Sequence, residues 1–142
     1  MALINPQLVA LAIVANAGNA SAYVVANGFQ TGTPTGATAG SAAIDRIGGG
    51  NYVLYLDEEE EFGSATSQAG LQIDAISSKR QGVPTIVFAT VSHGDTTGEG
   101  AAWSGVSAKR KVHVRFYDAN GALAEPDEFT VKVWRNPLNL YT

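Results

Sequence analysis

The chain has 142 residues, enough for one domain with a hydrophobic core of its own, and no cysteine, which excludes disulfides and thiolate metal sites. A formal net charge of −4 gives phosphate binding no support from the chain as a whole, so nucleic acid is not an expected partner. Only 15% of residues are charged while Gly numbers 16, a balance that favours tight turns and β-structure over long surface helices.

The N-terminal segment, residues 3–15, contains Leu3, Ile4, Leu8 and an apolar run from Val9 to Val14, with no charge. It reads either as a short helix, with Asn5 as cap and Pro6 at the first position, or as a buried strand. Periodicity does not arbitrate a run that is apolar on every side. The expected division is an N-terminal arm at 1–20 and a domain at 21–142, the arm being buried on its own domain or on a neighbouring subunit. Leu8 to Ala15 and the small residues after it also look like a secretory leader. The first basic residue is Arg46, however, and the run is far shorter than a bilayer span, so neither leader nor membrane segment is expected.

Residues 22–26 read as a strand closed by the turn pair Asn27-Gly28, and the Gly- and Thr-rich stretch 30–41 as a loop inside the domain. Residues 42–47 form the next predicted strand, and Gly48-Gly49-Gly50 turns the chain into 51–56. There Tyr52, Leu54 and Leu56 share one face and Val53 and Tyr55 the other, so this strand is predicted to be central or to contact a neighbour. The acidic run 57–61 follows. Residues 71–76 alternate, 85–91 are rich in β-branched side chains, and the basic run Lys109-Arg110-Lys111 leads into the last third.

That last third carries the clearest pattern. Val112, Val114 and Phe116, and then Phe129, Val131 and Val133, are apolar at alternate positions, the period of half-buried strands facing one core. The two strands are expected to run antiparallel to each other through a long turn that starts at Asp118-Ala119-Asn120-Gly121. Seven to eight strands with no long helices predict an all-β fold, a β-sandwich or jelly-roll-like single domain.

No catalytic constellation is legible. His93 and Asp95 lie in a Gly-rich loop without a nucleophile in a recognisable elbow, and His113 reads as an ordinary surface or interface histidine on an outward strand position. Two distant histidines without cysteine make a poor metal set, and five consecutive acids lack the alternate spacing of a calcium loop. The expectation is no enzyme, no cofactor and no metal. The acidic run reads as a solvated turn, or as a surface that meets the 109–111 run of another subunit. Lys109, Arg110 and Lys111 read as a solvated strand start or as a protein-facing surface. Trp103 and Trp134, with Tyr55 and Tyr117, fit either an interface or the packing of a second sheet. The candidate partner-binding residues are therefore Leu8, Leu11, Ile13, Trp103, Lys109, Arg110, Lys111 and Trp134.

Residues 42–56 and 111–135 together resemble a β-rich module of tailed-phage virion proteins. The resemblance is carried by Arg46, Gly48, Gly50, Tyr52, Leu54 and Leu56 in the first segment and by Asp118, Gly121, Asp127, Phe129 and Arg135 in the second. It implies a capsid decoration or cement protein, or a head or tail fibre component. The partners implied are the major capsid protein and copies of the chain itself as a homotrimer, on the capsid exterior of the virion, with no active site. A rival reading is a carbohydrate-binding β-sandwich in which Trp103, Trp134 and Tyr117 stack on sugar rings.

Overall fold

The computed structural model describes residues 7–20, 23–30, 44–58, 71–79, 82, 85–94 and 110–135. Trp103, Lys109, Asp95, most of the 30–41 stretch and residues 59–61 of the acidic run lie outside them. The described residues form eight strands and one turn of 3-10 helix, Ala17–Asn19. The strands are β1 (Gln7–Val14), β2 (Val24–Asn27), β3 (Ile44–Gly48), β4 (Asn51–Tyr55), β5 (Leu71–Ser78), β6 (Ile86–His93), β7 (Lys111–Asp118) and β8 (Glu128–Arg135). They make two antiparallel four-stranded sheets, β2-β1-β8-β5 and β3-β4-β7-β6, packed as an all-β sandwich.

Alternation decides which side chains enter the space between the sheets. Ala10, Ala12 and Val14 of β1 and Phe129, Val131 and Val133 of β8 meet Tyr52 and Leu54 of β4 and Val112, Val114 and Phe116 of β7. Three rings hold the centre: Phe116 and Phe129 lie 5.0 Å apart between centroids, Tyr52 and Phe129 4.7 Å, and Tyr52 and Phe116 6.0 Å. Aromatic pairs at such offsets add to the stabilisation of burial itself. The double-sided strand 51–56 is interior as expected, and every residue of β4 is buried.

Two expectations of pairing change. The strands of the last third, β7 and β8, do face one core, but they lie in opposite sheets and do not pair. After Asp118 the chain reverses, with Gly121 at φ 78° and the Asp118 carboxylate accepting from the backbone of Asn120 and Ala122. Residues 122–124 then run back along β7, the Ala124 amide donating to the Phe116 carbonyl at 3.0 Å, before the chain crosses to the first sheet. Alternation fixes which face is buried and says nothing of which strand lies alongside. A connection from Asp118 to Glu128 is long enough to cross the roughly 10 Å between packed sheets.

The second change concerns the segment expected as an arm. Gln7–Val14 is an interior strand, paired with β2 through Leu11 to Val14 and with β8 from Gln7 to Val14. Nor is it buried on every side: Leu8 and Ile13 are exposed. The described part of the arm is thus built into the domain, with only alternate side chains in the core.

Residues of β3 and β4 and of the connection after β7 meet at one end of the sandwich. Arg46 donates from Nε to Glu125 at 2.6 Å, and the Tyr52 hydroxyl lies 3.2 Å from the same carboxylate oxygen and 3.3 Å from the Ala17 carbonyl. Burial, and then the Glu125 carboxylate, push the Tyr52 phenol upward, so it stays protonated and acts as a donor. Gly50, at φ 80°, ends the β3–β4 hairpin where residues 122–124 take the lane beside β7, and a Cβ there would stand 2.6 Å from the Ala124 carbonyl oxygen. Gly50→Ala therefore combines a disfavoured φ with a backbone clash, and is expected to cost about 2 kcal/mol or more in chemical denaturation. A denaturation midpoint equal to that of the unaltered protein would contradict this packing.

Candidate interaction face

The outer face of the first sheet is built from the positions that alternate with the core residues. Register across the sheet sets Val25 beside Ile13, Ile13 beside Thr130, and Thr130 beside Ile76, a row running from β2 to β5. The apolar members of this row point to solvent: Val25 is 74% exposed, Ile76 63% and Ile13 47%. Tyr23, also exposed, adds an aromatic side chain at the β2 end. Ordinary surfaces carry single exposed apolar residues, whereas here apolar side chains from three strands stand in one row, with Thr130 of β8 between Ile13 and Ile76, the sort of grouping that marks an interaction site.

A polar zone borders the row. The next rank sets Asn27, Leu11, Lys132 and Asp74 side by side, and beyond it Trp134 lies opposite both Leu8 and Gln72. The Trp134 indole N–H donates to Asp74 at 3.0 Å and Gln72 donates to the other carboxylate oxygen at 3.4 Å. The indole is thereby tethered to β5, and Asp74 and Lys132 leave this zone without a strong charge of either sign. Apolar centre and satisfied polar border are the usual anatomy of a protein-facing surface.

Of the residues singled out from sequence, Leu8, Leu11, Ile13 and Trp134 share this one face. Lys111 does not. It stands on the outer side of the second sheet and is 9% exposed, opposite Tyr55 on β4, and Arg110 just before it is half-buried. The basic run is no solvated strand start over these two positions. His113, expected at a surface, is 7% exposed and donates from Nε2 to Asn51 Oδ1 at 2.6 Å. Tyr55 is fully buried, and that burial, followed by the Asp45 carboxylate, raises its phenol pKa. The centre of the second sheet is therefore buried on both sides, and polar residues there make internal contacts in place of outward ones. Sequence reasoning missed Val25, Tyr23 and Ile76 as candidates; their signal was an apolar side chain at an outward position of a strand already predicted.

Trp134 and Tyr117 lie on the outer sides of different sheets, Tyr117 stacked on Phe88 with centroids 5.0 Å apart. They do not line one face, as the stacking of both on one sugar would need. A pocket of about 270 Å³ beside the end of β5 is lined by hydroxyls and charges, among them Ser78, Lys79, Glu125 and Asp127, and by the apolar Ile86 and Pro126, with no histidine in its lining among the described residues. His93 sits at the end of β6 opposite Val112. Among the described residues no three His, Cys, Asp or Glu side chains group in a manner that would hold a metal ion, and Asp57 and Glu58, at the start of the acidic run, are exposed. Comparison with protein-family models, with curated proteins and with solved structures finds no match for the chain.

Proposed function

We propose that the chain is a structural protein of a tailed-phage particle, a cement or decoration protein on the capsid exterior that binds the major capsid protein and copies of itself. The observation that carries the reading is the exposed apolar row Val25, Ile13 and Ile76, in register across the first sheet and bordered by the Trp134–Asp74 contact. Burying such a row against a shell contributes about 25 cal/mol per Å² of apolar area, and a rigid sheet presents it without an ordering cost for a flexible segment. The resemblance of residues 42–56 and 111–135 to virion proteins points to the same reading; of the residues that carry it, Tyr52 and Phe129 pack on each other between the sheets. Use in a head or tail fibre would call on the same face.

The double variant Val25→Thr, Ile13→Thr tests this. It keeps β-branched side chains at exposed strand positions, so the denaturation midpoint should move by no more than about 0.5 kcal/mol in equivalent stability. Binding to particles stripped of the native protein is expected to fall about tenfold or more, read by co-sedimentation. Undiminished binding by the folded variant would remove this face from the proposal. Absence of the chain from a mass-spectrometric inventory of purified particles would remove the particle itself.

A further inference from the structure

The exposed row across the first sheet is flanked by charges of opposite sign on one strand. On β8, Thr130 stands in the row, with Lys132 two residues to one side and Glu128 two residues to the other, all three alternating with the buried Phe129, Val131 and Val133. Four residues of extended strand separate Lys132 from Glu128 by about 13 Å, too far for an ion pair between them. In register beside Lys132 stand Asp74 and Leu11, and beside Glu128 stands Ser78, whose hydroxyl donates to the Glu128 carboxylate at 2.7 Å. A face that is apolar along a line, with opposite charges at equal distances on either side of it, is complementary to itself when turned over about that line.

We infer that the row is covered by a second copy of the chain, packed face to face about a two-fold axis that runs along the row. The inference rests on the assembly role proposed for this face and names the neighbour. Val25, Ile13 and Ile76, all exposed in the single chain, then lie over their own counterparts. Lys132 of either copy lies over Glu128 of the other, twice by symmetry, and Asp74 over the Ser78 hydroxyl. The strands of the two sheets run antiparallel across the contact, as aligned sheet packing allows. A two-fold axis along β8 would instead set Lys132 over Lys132 and Glu128 over Glu128, and like charges brought together at an interface exclude that arrangement. The apolar line is buried at the centre, while the charges beside it fix the register more than they add affinity. Being isologous, the contact closes at two copies, in place of the trimer that the resemblance implies.

The pairing is a property of the purified protein and is read without particles. Sedimentation of the unaltered chain at micromolar concentration is expected to give twice its 14.7 kDa mass. Lys132→Glu and Glu128→Lys each turn both cross-pairs into like-charge contacts, and each should weaken self-association about tenfold or more. Mixed in equal amounts, the two variants regain opposite charges at both positions and should form a heterodimer. A chain carrying both reversals should likewise pair with itself. This recovery separates a charge effect from a folding defect. A monomeric or trimeric unaltered chain, a dimer indifferent to both reversals, or variants that fail to recover on mixing would overturn the inference. Each of these results leaves the particle-binding proposal to its co-sedimentation test, and absence of the chain from particles would overturn that proposal while the dimer in solution stood.

Discussion

Deletion of residues 1–15 is expected to abolish folding. The deletion removes β1, which lies between β2 and β8, and with it Ala10, Ala12 and Val14, all buried in the core. It strips β8 of its partner on one side along residues 129–135, leaving it paired with β5 alone, and separates β2 from its sheet. Each buried backbone group left unpaired costs about 1–3 kcal/mol. Several together exceed the roughly 5–15 kcal/mol that stabilises an ordinary domain. Circular dichroism of the truncated chain should show no cooperative thermal transition. A β-rich, cooperatively unfolding product that had lost only its binding would restore the segment as an accessory arm.

Phe116→Ala is the point substitution with the largest expected effect. The ring is fully buried, contacts both Tyr52 and Phe129, and joins the two sheets at the centre of the core. Truncation is expected to cost about 3–5 kcal/mol, because removal of a packed ring loses transfer energy and leaves a cavity that neighbours fill only in part. That corresponds to roughly 10–17 °C in thermal midpoint for a domain of this size. Val131→Ala, with fewer atoms to lose at an equally buried site, should cost about 2 kcal/mol or less. An unchanged midpoint for Phe116→Ala would mean that the face of β7 assigned to the core is the wrong one.

The sandwich was legible because alternation is a local signal. Val112, Val114 and Phe116 announce their buried face within six residues, and Tyr52 and Val53 side by side announce a strand buried on both faces. Partnership between strands is a non-local property. The chain between Asp118 and Glu128 has turn residues suited equally to a hairpin and to a crossing, and only the lane left beside β7 at Asn51 decides for the crossing. The segment at 7–14 misled for a related reason. Its outward residues, Leu11 and Ile13, are as apolar as its inward ones, so the pattern shows no solvent side, and the apolar surplus belongs to the exposed row and not to a buried arm.

The candidate face followed the same logic. Leu8, Leu11, Ile13 and Trp134 were identifiable as apolar or aromatic groups without an evident core role, whereas Val25 and Ile76 were hidden inside short strands whose orientation the sequence leaves open. Lys111 and His113 mark the opposite failure. A polar side chain at an outward position reads as solvated, yet the second sheet is covered on that side, and His113 finds its contact in Asn51, a residue 62 positions away.

In the proposed function, the outer face of the first sheet is the surface by which this chain joins an assembly. Imaging of a particle that contains the chain, at a resolution that separates strands, tests this most directly. Val25, Ile13 and Ile76 are expected against a neighbouring subunit, with the second sheet turned away from that contact. Density placing that row in open solvent, with contacts made elsewhere on the sandwich, would contradict it.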